Sequence, residues 1–109
     1  MTLNEMAADR FREYRAAGWQ NDNPGELIAL IHSELSEMLQ AERTGERDKH
    51  LPHRLAAEVE CADALTRLII YAGFRGFDLD GAMAEKRAYN ATRSDHKLEA
   101  RAAKGGKKF

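Results

Sequence analysis

The sequence has one cysteine, two prolines and no long apolar run, and each scarcity excludes something. A lone Cys61 rules out an internal disulfide framework and fits a reducing compartment. No apolar stretch approaches the roughly 20 residues needed to cross a bilayer. The opening "MTLNEMAADRFREYR" carries acids and no long apolar region, unlike a secretory signal. These absences set the expectation of a soluble, cytoplasmic protein with no membrane partner. At 109 residues the simplest organisation is one domain, 1–109. A chain of that size buries roughly two-thirds of its unfolded surface, enough for a core without staples.

Charge is present in quantity and unevenly placed. The formal net charge of −1 conceals an acidic body and a basic end. Residues 1–85 hold 9 Lys/Arg against 16 Asp/Glu, a net −7, and residues 86–109 hold 8 Lys/Arg against 2 acids, a net +6. Such a split suits a tail that contacts nucleic acid. It equally suits a cation site and an anion clamp built from one chain.

The pattern along the chain is helical throughout. Leu3, Met6, Ala7, Phe11 and Tyr14 recur at three- and four-residue steps and predict a first amphipathic helix ending near Gly18. "GWQNDNPGE" reads as a loop. Leu27, Ile28, Ile31, Leu35 and Met38 form the stripe of a second helix that stops before Gly45. "TGERDKHLP" is a polar connector, with Pro52 suited to the first turn of a third helix running to about Tyr71, where Gly73 and Gly76 break it. Asp78 is a fitting N-cap for a fourth helix, "LDGAMAEKRAYNATR". "KLEARAAKGGKKF" extends it before fraying at Gly105 and Gly106, with a flexible basic tail from about residue 97.

Two of these helices carry carboxylates in apolar surroundings. "LIHSELSEMLQ" places Glu34 and Glu37 among Leu30, Ile31, Leu35, Met38 and Leu39. "EVECADALTRLIIYA" has only Glu60, Asp63 and Arg67 as charged residues after Val59, on one narrow stripe. With 22 residues between Glu37 and Glu60, a turn and an antiparallel return bring the two pairs face to face across a bundle. Four gathered carboxylates repel, each like-charge contact at about 5 Å costing roughly 3 kcal/mol at an effective dielectric near 20. Desolvation adds several more per ion, so the arrangement calls for cations. Hard oxygen donors without thiolate or imidazole favour Mg²⁺, with Mn²⁺ possible, over zinc. A di-iron bundle normally uses Glu-x-x-His on two helices, and neither pair here has that histidine.

"ELSE" followed by "ECAD" resembles the ExxE…ExxD pattern of the MazG-like all-α nucleoside triphosphate pyrophosphohydrolases. "GELIALIHSELSEMLQAER", "GFDLDGAMAEKRAYNATR" and the closing "GGKK" are similar to its short phage- or bacterium-type members, from about Gly25 to Lys108. The resemblance implies a four- to five-helix bundle completed by dimerisation, as a homodimer or a dimer of dimers. It implies Mg²⁺ held by Glu34, Glu37, Glu60 and Asp63, which would also be the catalytic acids. It implies Lys86, Asn90 and Arg93 as phosphate-binding residues, and a nucleoside or deoxynucleoside triphosphate split into monophosphate and pyrophosphate. The family's Pro, aromatic and His passage into Gly-Gly-Lys is not reproduced in "RSDHKLEARAAKGGKK", so His96 and the terminal lysines add little.

The residues themselves point the same way. Lys86, Asn90 and Arg93 at i, i+4 and i+7 share a helix face about 10 Å long and offer an ammonium, an amide and a planar guanidinium to a polyphosphate. Trp19, in a polar loop beside Gln20, Asn21 and Asn23, is a candidate for stacking on the substrate's base. Helix three is apolar nearly all round from Leu65 to Ala72, more than the neighbouring helices of one small chain would cover. Arg67, one turn after Asp63, is placed to pair with it. His32, His50 and His53 read as exposed or structural, Glu58 as a surface residue, and Cys61 as a small core residue. The alternative to an enzyme is a helical dimeric binding module whose basic tail contacts nucleic acid.

Overall fold

The computed structural model describes residues 1–93; the expected basic tail, His96 and "GGKK" lie outside the described residues. The described chain is all-α, with four helices in the order α1 (Leu3–Ala16), α2 (Pro24–Thr44), α3 (Ala56–Arg75) and α4 (Leu79–Thr92). It divides into two compact units, Met1–Phe77 and Asp78–Phe109. Among the described residues no helix is long and apolar enough to cross a membrane.

Each start has a local cause. Thr2 caps α1 through a capping box, its hydroxyl accepting from the Glu5 amide while the Glu5 carboxylate accepts from the Thr2 amide, both at 3.1 Å. α2 begins three residues earlier than its apolar stripe, because Asn23 accepts from the Glu26 amide at 3.1 Å and Pro24 sits at the first helical position. Gly45 ends α2 in the left-handed conformation, φ 66°.

α3 departs from its expected limits at both ends. Pro52 does not open it, since the connector is first pinned by backbone bonds. Asp48 N–H donates to the Arg54 carbonyl at 3.0 Å, Ala56 N–H donates to that of Glu46 at 2.9 Å, and Arg47 and Leu55 form an isolated antiparallel bridge. The Asp48 carboxylate also accepts from the amides of His50 and Leu51. Nor does Gly73 break α3, which continues to Arg75 and is capped by Gly76 at φ 66°. Gly73 serves packing instead. A Cβ there would collide with the Ala7 carbonyl and stand 2.8 Å from Phe11 Cβ, so its absence lets α1 and α3 approach closely.

Within the first unit α3 is central, packing against both α1 and α2. The buried residues are mostly small: Ala7, Ala41, Ala57, Ala64 and Ala72, with Ile69 and Tyr71. Phe11, Tyr71, Phe74 and Phe77 form a chain of tilted and edge-on ring contacts about 6 Å apart. The larger aliphatics fare differently. Ile28, Leu30, Leu35 and Leu39 of α2 and Leu65 and Leu68 of α3 are all exposed, and Cys61, expected in the core, is exposed as well. Alanines sit where the helices meet, so the leucine stripes project away from those seams.

Candidate metal centre

α2 and α3 bring together three of the four expected acids. One carboxylate oxygen from each of Glu34, Glu37 and Glu60 lies within 4.8 Å of the others, a group of ligating type formed across two helices. The i, i+3 spacing places Glu34 and Glu37 one turn apart on the same side of α2, and the α2–α3 packing delivers Glu60 to them. Asp63 stands outside this triplet and is exposed. It remains near enough for its charge to act on Glu60.

Glu60 experiences the gathering most strongly. Its carboxyl is pushed up from its ordinary 4.5 to about 7, first by burial, then by its hydrogen-bond contact with Glu37 and by repulsion from Glu37, Asp63 and Glu34. Glu60 Oε2 is sealed from solvent and receives no hydrogen bond from a donor in the chain. The two observations agree, because a contact between carboxylates becomes a hydrogen bond only when one of them carries the proton.

Arg67 departs from the sequence expectation. It does not pair with Asp63, one turn away on its own helix. Its Nε donates instead to Glu34 Oε1 at 3.0 Å, across to α2. The Glu34 side chain is only 13% exposed, while that of Arg67 is 42% exposed. Among the described residues this is the one ion pair that the four acids make.

A cleft of about 1150 Å³, counting its part open to solvent, adjoins the acids and is lined by Tyr14, Trp19, Glu34, Asp63, Thr66 and Arg67, among others. Trp19 is 62% exposed and stacks on Tyr14 with centroids 6.2 Å apart and planes 20° apart. Its loop is held by Arg15, which donates to the Trp19 carbonyl at 3.0 Å and pairs with Asp22. A second, more apolar cleft of about 390 Å³ shares Tyr14 and Arg67 and reaches Phe11, Leu27 and Phe74. Tyr14 was legible only as a member of the α1 stripe; nothing in its spacing marks it as the platform under Trp19.

The polar residues of α4 belong to the second unit. Lys86 is exposed, and Asn90 Oδ1 is enclosed without a hydrogen-bond partner. Arg93 is not on the helix, as its i+7 spacing suggested. It is the C-cap, in extended conformation at φ −71° and ψ 129°. Lys86 Nζ lies 5.0 Å and Arg93 Cζ 5.5 Å from the centroid of the Tyr89 ring, so both cations gather on one aromatic. His32, His50 and His53 are exposed and outside the acid group, and Glu58 pairs with Arg54 at 3.1 Å on the surface.

No protein-family model, no curated protein and no solved structure matches this chain.

Proposed function

We propose that the chain is a divalent-cation-dependent nucleoside triphosphate pyrophosphohydrolase of MazG-like type. One observation carries the reading: Glu34, Glu37 and Glu60 converge from two helices, with Glu60 Oε2 enclosed and lacking a donor. Glu37 is exposed and Glu34 and Glu60 are half-buried, so the support lies in their convergence across two helices and in the enclosed Glu60 Oε2. The donor set is all hard oxygen, which fits Mg²⁺ or Mn²⁺ held by Glu34, Glu37 and Glu60, with Asp63 at the margin. A cation bound there supplies charge neutralisation for phosphate oxygens and acidifies water.

The remaining work falls to the chain. One of the glutamates beside the cation would take the proton of the attacking water as general base. Trp19 on Tyr14 presents a flat aromatic face to a base in the adjoining cleft. Lys86, Asn90 and Arg93 are assigned to the β- and γ-phosphates on their own chemistry, as two cations and an amide within two turns. The predicted products are a nucleoside monophosphate and pyrophosphate. A nucleotide panel scored for pyrophosphate release tests the reading. Hydrolysis in ¹⁸O-labelled water should label the monophosphate and leave pyrophosphate unlabelled. Label in free orthophosphate, with a nucleoside diphosphate as co-product, would overturn the assigned bond.

Association into a homodimer or dimer of dimers, in the cytoplasm, is part of the same proposal. Cys61, Leu65 and Leu68 lie at four- and three-residue steps on α3, and Leu35 and Leu39 one turn apart on α2, all exposed. A leucine left half exposed forgoes about 1 kcal/mol of burial, and a second copy would recover it. Sedimentation giving a stable monomer at micromolar concentration would remove this part. The nucleic-acid alternative rests on the tail outside the described residues, and salt-dependent RNA or DNA affinity would favour it.

A further inference from the structure

The metal-centre reading leaves Arg67 unexplained, and the geometry gives it a task. A guanidinium beside a cation site is unfavourable unless it has somewhere else to go. Arg67 has two neighbours of opposite use: Glu34 Oε1, which its Nε engages at 3.0 Å, and the cleft beside the acids, which it lines together with Trp19, Thr66 and Asp63. Nε engages Glu34, the side chain also lines the cleft, and the two terminal nitrogens of the guanidinium carry further donors. Its 42% exposure leaves the side chain room to swing, while the 13% exposure of Glu34 keeps that carboxylate in place.

We propose that Arg67 is a partner-exchanging, substrate-contacting residue. It counters Glu34 while the acids lack a cation, and it releases Glu34 to the cation by turning its guanidinium onto the phosphate chain of a nucleotide in the cleft. This rests on the proposed metal centre and adds the regulation of that same site. Arg67 and a divalent cation then compete for one carboxylate, and an anion in the cleft relieves the competition. Cation and nucleotide therefore each bind more tightly in the presence of the other, by equal factors. A purely positioning role makes the opposite claim. An arginine that merely fixes the rotamer of a metal ligand strengthens metal binding, and its loss weakens binding by about 10- to 100-fold.

The two roles differ in sign, so a binding measurement separates them without using turnover. Mn²⁺ affinity is read from the free-ion electron paramagnetic resonance signal for the wild-type chain, Arg67→Met, Arg67→Gln and Arg67→Lys, with no nucleotide present. Exchange predicts that the two neutral variants bind Mn²⁺ about tenfold more tightly than wild type, as removal of a nearby positive charge requires, with Arg67→Lys close to wild type. The neutral variants should also raise KM for a hydrolysed nucleotide more than they lower kcat. Met and Gln are both neutral and unbranched but differ in polarity, so a folding defect in one leaves the other to decide. Unchanged or weaker Mn²⁺ binding in both neutral variants, with Glu37→Gln still abolishing it, overturns the exchange and leaves the metal centre standing. No Mn²⁺ binding by the wild-type chain overturns both.

Discussion

The two seams along α3 are built on opposite terms. Against α1 it presents Gly73 and Phe74, and the helices close until the Ala7 carbonyl fills the space a side chain at Gly73 would need. Arg15 covers this seam, its guanidinium 5.0 Å from the Phe11 ring and 5.9 Å from that of Phe74. Against α2 the same helix presents Glu60 to Glu34 and Glu37, three carboxylates with one arginine among them. The second arrangement sets like charges together, and burial first, then the contact with Glu37 and repulsion from its neighbours, raises the titration of Glu60. One seam carries stability and the other gives some of it up. A stability deficit confined to one face of a helix is where ligand binding has free energy to recover.

The most severe test acts on the acid seam. Glu37→Gln and Glu60→Gln should each lower Mg²⁺-dependent pyrophosphate release by a factor of about 10³ or more, roughly 4 kcal/mol in the barrier. Melting temperature without metal should hold or rise, because each change removes one repelling charge. Near-normal turnover in both variants would mean that the acids are misassigned. A loss of turnover accompanied by unfolding would mean that the seam is structural after all.

The α1–α3 seam should respond in the opposite way. Gly73→Val places a branched side chain against the Ala7 backbone and should destabilise the fold by about 3 kcal/mol. The folded fraction should keep its Mn²⁺ affinity, since the change is distant from the acids along α3. Gly73→Ala should cost less, because the gain in helix propensity of about 1 kcal/mol partly offsets the clash. Denaturant unfolding at fixed temperature measures both. A stabilising Gly73→Ala would show that the seam has slack.

The spacing of residues reported one of these seams better than the other. Glu34, Glu37 and Glu60 were legible because i, i+3 repetition in apolar surroundings is a property of each helix alone, and four helices were legible for the same reason. Partners across helices were not. Arg67 has Asp63 one turn away in sequence, yet it pairs with Glu34, 33 positions distant, since helix packing brings α2 to that face. Gly73 read as a breaker because local propensity disfavours glycine in helices, and only the approach of Ala7 reveals why it is helical. The α2 stripe of Ile28 and Leu35 predicted burial, but within this chain α3 is met by alanines, and those residues stay exposed.

A smaller effect follows from adding metal. Mg²⁺ at ten to a hundred times its dissociation constant should stabilise the wild-type chain by about 1.4 to 2.7 kcal/mol, read as a concentration-dependent rise in melting temperature. Glu37→Gln should abolish the rise, and Gly73→Ala should preserve it from a lower starting point. Equal stabilisation of wild type and Glu37→Gln would move the cation elsewhere on the acidic body.

The smallest effect is in pH, and its sign distinguishes the seams most directly. A carboxylate engaged in a favourable ion pair titrates low and loses its contribution as pH falls. Glu60 does the reverse. Its folded value of about 7 lies above the ordinary 4.5 of an unfolded chain, so the folded state holds its proton more tightly. Its contribution to stability is therefore complete below about pH 4.5 and is lost as pH rises through about 7. With metal chelated, the wild-type chain should melt at a lower temperature at pH 8 than at pH 6, and Glu60→Gln, which stays neutral throughout, should lack that part of the decline. Mg²⁺ reverses the order, because it favours the ionised carboxylate and displaces the proton. Its affinity should increase from pH 6 to pH 8, and most steeply below about 7. A Glu60→Gln variant whose melting temperature falls with pH as steeply as the wild type's would mean that Glu60 is ordinarily ionised. The acid seam would then carry no stored repulsion for a cation to relieve.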